Sequence, residues 1–254
     1  MLKNKSILIT GGTGSFGSKF SEYILKNHKD IKKLVIFSRD ELKQFHMSQK
    51  KIFLNNKKVR FFLGDIRDKD RLLRAFNNID IVIHSAALKQ VPAAEYNPTE
   101  FIKTNIIGSQ NIVEACIDKN VKQLIALSTD KAVAPVNLYG ATKLCGDKLF
   151  VAANSYAGNM KNKFSIVRYG NVISSRGSVI PKFFEINRDK TQKFFPVTDI
   201  NMTRFLISLE DGIKVVLFAL KNQIGGEVFV PKLPSVKIKD LCKTINSKKK
   251  IKVI

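Results

Sequence analysis

Two neighbouring motifs between Ser128 and Lys143 carry residue types that can move protons. Tyr139 and Lys143 are spaced as Y-x-x-x-K, so they would lie one turn apart on the same face of a helix. A lysine ammonium beside a phenol lowers the pKa of the phenol towards neutrality. The phenolate can then take the proton of a substrate hydroxyl while a hydride leaves the same carbon. The spacing therefore favours dehydrogenase chemistry.

An acid and a potential base, Asp130 and Lys131, come just before this pair. A plain oxidoreductase would need neither of them, so they indicate a further proton transfer. Each pair also has a simpler interpretation, as exposed surface residues at ordinary spacing. The choice between the two depends on what the rest of the chain builds around them.

Short apolar runs alternate with helix-length amphipathic segments along the first two thirds of the chain. The predicted strands are Ser6–Thr10, Leu34–Phe37, Val59–Leu63, Ile79–His84, Gln123–Leu127 and Phe164–Arg168. The predicted helices are Gly14–Asn27, Asp40–Phe53, Lys69–Phe76, Pro98–Lys119 and Asn137–Ser155. This alternation predicts an α/β fold of the Rossmann type, with a doubly wound parallel sheet. Ligands of such a sheet bind beyond the carboxyl ends of the strands.

The regular alternation of strands and helices ends at about Gly170. After it, loops, a helix and short extended segments follow one another. We expect residues 1–169 to form a dinucleotide-binding domain, with 203–224 packing back on it through a helix at Leu209–Lys221. Residues 170–202 and 225–254, with a strand near Glu227–Val230, would then form part of a small substrate-binding subdomain that covers the ligand.

A glycine-rich turn joins the first predicted strand to the first helix. Gly11, Gly14 and Gly17 are spaced G-x-x-G-x-x-G, and Gly12 makes the alternative G-x-G-x-x-G. Glycines there permit a tight turn and close backbone approach to a pyrophosphate at the helix N-terminus. In this strand–turn–helix position the motif predicts a nicotinamide dinucleotide, whose positive ring would act on the phenol together with Lys143.

The ends of the next strands indicate which dinucleotide is bound. Ser38 and Arg39 stand where NAD-specific sites usually place an acid, and a guanidinium suits a 2′-phosphate. We therefore predict NADP, although Arg39 could instead be solvated. Asp65 could accept from the adenine amino group, small residues after the fourth strand would let the backbone approach the cofactor, and His84 is expected to pack in the core.

Composition excludes several classes of protein. The net charge is +23, but lysine (35) far outnumbers arginine (9) and the lysines are scattered, which does not favour nucleic-acid binding. No apolar run approaches the length of a membrane span, and the N-terminus is too polar for a signal peptide. The three cysteines are far apart, so we expect a reduced cytoplasmic protein without a structural metal.

Motifs along essentially the whole chain resemble one family of enzymes. They are TGGTGSFG, FSRDELKQ, GDIRD, AALKQVPAAEYNP, LSTDKAVAPVNLYGATKLCGDKLFV, VRYGNVISSRGSV and TDINMTRF. Together they resemble the extended short-chain dehydrogenases/reductases and, more narrowly, the C5-inverting UDP-N-acetylglucosamine 4,6-dehydratases of pseudaminic acid and polysaccharide biosynthesis. Related membrane-anchored, C5-retaining enzymes typically carry Met at the position of Tyr139, so this tyrosine favours the soluble, inverting group.

The resemblance implies a mechanism that uses both pairs. Tyr139, assisted by Lys143, would deprotonate the 4-hydroxyl of the sugar as hydride passes from C4 to NADP. The 4-ketone acidifies the C5 proton, which Lys131 would remove while Asp130 protonates the departing 6-hydroxyl. Hydride then returns to C6, and C5 is reprotonated on the opposite face. Burial and the charges of Lys89 and Lys143 would lower the pKa of Lys131 for this role.

The resemblance also assigns binding residues by position, several of which would have more than one role. The catalytic set is Thr129, Asp130, Lys131, Tyr139 and Lys143. The cofactor-binding set is Gly11, Thr13, Gly14, Ser15, Phe16, Gly17, Ser38, Arg39, Lys43, Asp65, Ile66, Ala86, Ala87, Lys89, Thr104, Ser128, Tyr139, Lys143 and Val172. The substrate-binding set is Lys89, Thr129, Asp130, Lys131, Asn171, Arg176, Ser178 and Thr198, although Arg176 could instead form an ordinary loop salt bridge.

The sequence departs from the family at its end. Family members continue past IKVI into a segment that helps to enclose the nucleotide diphosphate, so we expect this chain to be C-terminally truncated at Ile254. Two other functions stay open. One is a nucleotide-sugar 4-epimerase, which needs Tyr139 and Lys143 but not the acid/base pair, and the other is an NADP-binding protein without turnover. Family members are commonly homo-oligomers.

Overall fold

The computed structural model describes residues 1–158, 162–173 and 178–254. The strands are β1 (Ser6–Thr10), β2 (Lys33–Ser38), β3 (Val59–Leu63), β4 (Ile81–His84), β5 (Gln123–Thr129), β6 (Lys163–Tyr169), β7 (Asn171–Val172), β8 (Phe194–Val197), β9 (Thr203–Ile207), β10 (Val228–Phe229), β11 (Ser235–Lys237) and β12 (Lys250–Val253). The helices are α1 (Ser15–Asn27), α2 (Glu41–Ser48), α3 (Lys69–Ala75), α4 (Val91–Tyr96), α5 (Pro98–Phe101), α6 (Gly108–Asp118), α7 (Leu138–Tyr156), α8 (Val179–Arg188), α9 (Leu209–Asn222) and α10 (Ile238–Ile245). A π-helical turn, Ile102–Ile107, links α5 to α6, and a 3₁₀ turn, Asp130–Ala132, follows β5.

Contacts divide the chain into two compact units. The first comprises Met1–Arg168 and Ile213–Val230, and the second comprises Tyr169–Gly212 and Pro231–Ile254. The prediction had instead grouped 203–224 with the first part and 225–254 with the second. In the structure β9 pairs with β7 and β11, whereas β10 pairs with β6.

The first unit is built on one central sheet. Among the described residues its strands are ordered β10-β6-β5-β4-β1-β2-β3, and the strand pairs β1–β2, β1–β4, β2–β3, β4–β5 and β6–β10 are all parallel. Every residue of β1 and β4 is buried, because a parallel sheet is covered on both faces and its strands read as continuous apolar runs. The chain adds β2 and β3 on one side of β1 and β4, β5 and β6 on the other, so the strand order reverses between β1 and β4. Sheets of this α/β type bind their ligands at such a point. The predicted Rossmann-type fold is confirmed.

The second unit has a smaller core. Phe183, Phe195, Val197, Ile238 and Cys242 are buried together. A three-stranded sheet, β11-β9-β7, and the parallel pair of β8 and β12 provide the described strands of this unit.

Two predicted helices differ from the structure. The helix predicted at Asp40–Phe53 ends at Ser48, whose hydroxyl donates to the Phe45 carbonyl and so competes with the helical pattern. The chain then continues in turns. The segment predicted as one helix at Pro98–Lys119 contains the π-helical turn, a feature that periodicity does not reveal. No helix in the described parts of the chain is long and apolar enough to cross a membrane.

Candidate functional site

A cleft of about 330 Å³ lies at the carboxyl ends of β1 to β4 in the first unit. Its lining combines the glycine turn after β1 with residues that follow the next three strands. The lining residues are Gly11, Thr13, Gly14, Phe37, Ser38, Arg39, Asp40, Lys43, Gly64, Asp65, Ile66, Ser85, Ala86, Ala87, Leu88 and Thr104. The cleft therefore occupies the position where this fold binds dinucleotides.

The glycine turn leaves no room for side chains. Gly11 has φ +64°, and a Cβ there would lie 2.8 Å from the Ala86 nitrogen. A Cβ on Gly17 would lie 2.5 Å from the Gly11 carbonyl oxygen. Gly14 is the N-cap of α1 and lines the cleft, so the positive end of this helix is at the ligand site.

Cations and carboxylates are paired on the side of the cleft formed by β2 and β3. Arg39 Nη1 lies 3.5 Å from Asp65 Oδ2, and Arg67 Nη2 lies 2.8 Å from the same oxygen. Burial alone would raise the pKa of Asp65, but the hydrogen bonds and charge of Arg67, with the charge of Arg39, lower it. Lys43 forms an ion pair with Asp40. Two cations, Arg39 and Lys43, thus line the cleft, and each is paired with a carboxylate.

A buried hydroxyl without a partner points to a ligand of this cleft. Thr104 is 6% exposed and lines the cleft, and its Oγ1 makes no hydrogen bond within the described structure. The π-helical turn places it there, next to Asn105. The Asn105 amide donates to the Leu88 carbonyl and accepts from the Leu88 amide, both at 2.9 Å, which fixes the cleft wall. An orphaned polar atom on such a wall fits a polar ligand.

Most of the predicted cofactor residues meet at this cleft. Eleven of the nineteen line it: Gly11, Thr13, Gly14, Ser38, Arg39, Lys43, Asp65, Ile66, Ala86, Ala87 and Thr104. The others are not among its lining residues: Ser15, Phe16, Gly17, Lys89, Ser128, Tyr139, Lys143 and Val172. Of these, Val172 belongs to the second unit. Five lining residues were not predicted, namely Phe37, Asp40, Gly64, Ser85 and Leu88, although all flank predicted positions in sequence.

The first of the predicted proton-transfer residues, Thr129, Asp130 and Lys131, lie at the carboxyl end of β5. Lys131 Nζ donates to Asp130 Oδ1 at 3.0 Å, and Thr129 Oγ1 donates to the same carboxylate oxygen at 3.0 Å. The Thr129 side chain also acts on the nearby Tyr139 phenol, in the direction that lowers its pKa. Lys89 carries a pKa that is lowered by burial and by the charge of Lys131. The structure therefore brings these five predicted residues together in the first unit.

Helix α7 carries the Y-x-x-x-K pair. Asn137 caps the helix, since its Oδ1 accepts from the Gly140 amide at 2.8 Å. Lys143 is 6% exposed and donates to the Leu127 carbonyl at 2.8 Å. Burial lowers the pKa of Lys143, and the charge of Asp147 opposes that effect.

In the protein alone the pKa of Tyr139 is not lowered; the expected lowering combined Lys143 with the positive ring of a bound nicotinamide. Burial raises it to about 12, and the charges of Asp130 and Asp147 add to this, while the hydrogen bond with Thr129 opposes it. The phenol is thus neutral in the protein alone. A positive charge brought by a ligand would be needed to make it a base at neutral pH.

A backbone contact sets the distance between the two pairs. A Cβ on Gly140 would lie 2.2 Å from the Lys131 carbonyl oxygen, so only glycine allows α7 to pack this closely on the 3₁₀ turn. His84 lies nearby in the core, as predicted, with its Nδ1 2.8 Å from Thr10 Oγ1. Burial and the charge of Lys143 lower the pKa of His84 to about 3, which keeps the ring neutral.

Most of the predicted substrate residues outside this group lie in the second unit. Asn171 is in β7, Ser178 is the N-cap of α8, and Thr198 follows β8 and is exposed. The Ser178 hydroxyl is buried without a partner within the described structure. The predicted Arg176 falls outside the described residues.

Sequence reasoning missed Asp147, a carboxylate that is 3% exposed. Its Oδ2 accepts from Ser128 Oγ at 2.9 Å and from Arg168 Nε at 2.8 Å. Its place eight residues after Tyr139 put it near the same helix face. That spacing was the one available signal, because its partners are distant in sequence.

Comparison with known proteins identifies the family. Residues 7–253 match the family model described as polysaccharide biosynthesis protein. The chain belongs to this family. It is 57% identical over 241 residues to a UDP-N-acetylglucosamine 4,6-dehydratase (inverting) from Campylobacter jejuni, a match that covers 95% of this chain and 71% of that protein. The predicted resemblance is confirmed.

Two further comparisons concern a relative that is named for a different reaction and a solved structure. A UDP-glucose 4-epimerase from Rickettsia bellii is 46% identical over 260 residues, covering 100% of this chain and 75% of that protein. The crystal structure of Pen from Bacillus thuringiensis superimposes with a TM-score of 0.93 at 38% identity, covering 100% of this chain and 80% of the other. The family member described here thus shares sequence with proteins named for two different reactions.

Proposed function

We propose that this chain catalyses the NADP-dependent, redox-neutral 4,6-dehydration of UDP-N-acetylglucosamine. The reaction would invert C5 and give a UDP-2-acetamido-2,6-dideoxy-4-keto-hexose. The single observation that carries the proposal is the Asp130–Lys131 ion pair close to the Tyr139 phenol, whose pKa is raised by the charge of Asp130 in addition to burial. An acid and a base beside a dehydrogenase tyrosine are what dehydration adds to oxidation.

The residues around the cleft fit NADP. The glycine turn and the N-terminus of α1 would hold the pyrophosphate, and Arg39 with Lys43 would hold the 2′-phosphate. Thr104 offers an unpartnered hydroxyl on the cleft wall. When bound, NADP supplies the positively charged ring that takes a hydride from sugar C4 and returns it to C6.

The chain's own residues would move the protons. Tyr139, aided by the buried Lys143, takes the proton of the 4-hydroxyl, and Thr129 holds the phenol in place. Lys131 takes the C5 proton once the 4-ketone has acidified it. Asp130 gives a proton to the departing 6-hydroxyl, so that water leaves.

The ion pair between Asp130 and Lys131 explains how a carboxylate and an ammonium can serve as acid and base. Their polar atoms are 3.0 Å apart, close enough for a proton to pass from Lys131 Nζ to Asp130 Oδ1. That transfer leaves a neutral amine and a neutral acid, the forms that these two roles need. Removal of solvent by a bound sugar would favour the neutral pair.

A 4-epimerase is the second candidate, favoured by the similarity to the Rickettsia bellii protein. Epimerisation would use Tyr139 and Lys143 and would leave the Asp130–Lys131 pair without a role. The two reactions therefore differ in their dependence on Lys131.

The test is to incubate the protein with UDP-N-acetylglucosamine in D₂O and follow the sugar nucleotide by mass spectrometry and NMR. Loss of one water, deuterium at C5 and inverted configuration there would support the dehydratase. An isomer without loss of water, formed equally by Lys131→Ala, would support the epimerase. Bound NADP without any product would identify a cofactor-binding protein without turnover.

A further inference from the structure

Arg67 is a cation that holds one of the carboxylates of the cleft. It is not itself among the lining residues, whereas Asp65, two positions earlier, is. Arg67 Nε and Nη2 donate to Asp65 Oδ2 at 3.1 and 2.8 Å, and the Arg67 backbone amide donates to Asp65 Oδ1 at 3.0 Å. Hydrogen bonds between ionised groups are about twice as strong as neutral ones. One residue therefore engages both oxygens of this carboxylate.

Two further contacts fix Arg67 in place. Its Nη1 donates to Glu100 Oε2 at 2.7 Å, in α5. Its backbone carbonyl accepts from the Asn111 amide at 3.1 Å, in α6. The guanidinium thus has a carboxylate on two of its nitrogen atoms, and its backbone is tied to a helix. These contacts hold Arg67 against Asp65 and leave it outside the cleft.

Arg39 and Arg67 share the same oxygen of Asp65, but not equally. Arg39 Nη1 lies 3.5 Å from Asp65 Oδ2, which is longer than a hydrogen bond, whereas Arg67 Nη2 lies 2.8 Å from it. Burial raises the pKa of Asp65, and Arg67 lowers it through hydrogen bonds and charge more than Arg39 does. The Arg39 side chain is 54% exposed. Arg39 is therefore only loosely paired with the carboxylate.

We propose that Arg67 is a positioning residue that sets the preference for NADP over NAD, because it occupies Asp65 and so leaves Arg39 able to bind the 2′-phosphate. The inference rests on the NADP part of the proposed function and names a residue that determines specificity there. Without Arg67, Asp65 would take Arg39 as its partner and would repel the approaching phosphate. Neither effect acts on NAD, which carries a hydroxyl at this position.

Removal of the Arg67 charge has a defined direction. In Arg67→Met the aliphatic stem stays, and so does the backbone hydrogen bond to Asp65. Arg39 must then leave a tighter ion pair before it can meet the phosphate. An exposed ion pair changes an equilibrium constant by up to about fivefold, so the preference for NADP over NAD should fall about three- to fivefold.

The experiment measures dissociation constants for NADP and NAD by isothermal titration calorimetry, without turnover. The proteins are wild type, Arg67→Met, Asp65→Asn and the variant with both changes. The ratio of the two constants isolates the 2′-phosphate, because the two cofactors are otherwise the same. We expect the ratio to fall about three- to fivefold in Arg67→Met. Once Asp65 is neutral, loss of Arg67 should change the ratio by less than about twofold.

A matched control is Lys69→Met, which removes a neighbouring cation of the same unit that is also paired with a carboxylate on a helix, Glu114 in α6. Its ratio should equal that of the wild type. Thermal melting checks that each variant is folded. If Arg67→Met does not fold, Arg67→Gln removes the same charge and is judged by the same outcomes.

The outcomes separate this inference from the proposed function. An unchanged ratio in a folded neutral variant of Arg67 overturns the inference and leaves the NADP assignment standing. An equal fall with Asp65 and with Asn at that position overturns it too, since Arg67 would then act on the phosphate by its own charge. A wild type that does not prefer NADP overturns both the inference and the cofactor assignment. The expected shift in a protein that forms no dehydrated product supports the inference and refutes the proposed reaction.

Discussion

Substitution of Gly140 by alanine tests whether the distance between the two proton-transfer pairs matters. The new Cβ would lie 2.2 Å from the Lys131 carbonyl oxygen, whereas Cβ contacts closer than 3.0 Å are essentially never found. The obstructing atom belongs to the backbone and cannot rotate away. The 3₁₀ turn and α7 must therefore separate by about 1 Å, a displacement that commonly costs about 100-fold in rate when it misplaces catalytic groups.

The expected result is a specific loss of turnover. In Gly140→Ala we expect kcat for dehydration to fall about 100-fold. The affinity for NADP should stay close to that of the wild type, because the cleft residues lie on other elements. Alanine is favoured over glycine inside a helix by about 1 kcal/mol, which partly offsets the strain, so the protein should stay folded. Turnover by mass spectrometry, NADP titration by fluorescence and thermal melting measure the three quantities.

Gly146→Ala in the same helix is the matched control. A Cβ there would meet the Asn105 carbonyl oxygen at 3.2 Å, a tight contact that a shift of a few tenths of an ångström relieves. Its kcat should stay within about threefold of the wild type. The reasoning is refuted if Gly140→Ala behaves like Gly146→Ala, since the close contact would then not set the geometry of the site.

Three further predictions follow from the cleft, the acid/base pair and the core. Arg39→Ala should weaken NADP binding by about 10- to 150-fold while leaving NAD binding little changed, because a charge-assisted contact to phosphate is worth about 1.5–3 kcal/mol; equal losses in fluorescence titrations would contradict an assignment to the 2′-phosphate. Lys131→Ala should abolish deuterium uptake at sugar C5 while an absorbance of reduced cofactor still appears on addition of the sugar nucleotide; retained deuterium would exclude Lys131 as the base. Because burial and the charge of Lys143 lower the pKa of His84 to about 3 in the folded protein, against an ordinary value of about 6.5, the unfolded chain binds the extra proton, so stability falls as pH drops from about 6.5 to about 3, by on the order of 5 kcal/mol. Urea unfolding of wild type and His84→Leu between pH 7 and pH 4 measures this, and an equal pH dependence of both proteins would contradict it.

The sheet and the cofactor turn could be predicted because their causes are local. Parallel strands that are buried on both faces must be apolar runs, and the runs at Ser6–Thr10 and Val59–Leu63 have the predicted ends in the structure. The turn after β1 needs small residues at fixed spacing, and Asn137 is a recognisable cap. These features depend on residues within a few positions of one another.

The electrostatics of the site could not be predicted, because they depend on burial and on partners far away in sequence. Desolvation by the packed fold is the largest effect on the Tyr139 phenol in the protein alone, and it raises the pKa. Arg39 was expected to face a phosphate, and it also contacts Asp65, which follows the next strand. Asp147 meets Arg168 across 21 residues of sequence, a pairing that no local pattern indicates.

The proposed dehydratase must remove two protons from the sugar, first that of the 4-hydroxyl and then that of C5. The two residues that would act as bases lie on different secondary-structure elements. Tyr139 is carried by a long helix, and Lys131 by a single 3₁₀ turn after β5. A turn of three residues has few contacts of its own, so its position must come from the helix. The packing of Gly140 on the Lys131 carbonyl provides that connection. The glycine that follows Tyr139 is therefore as much a requirement of this chemistry as the tyrosine, although it carries no reactive group.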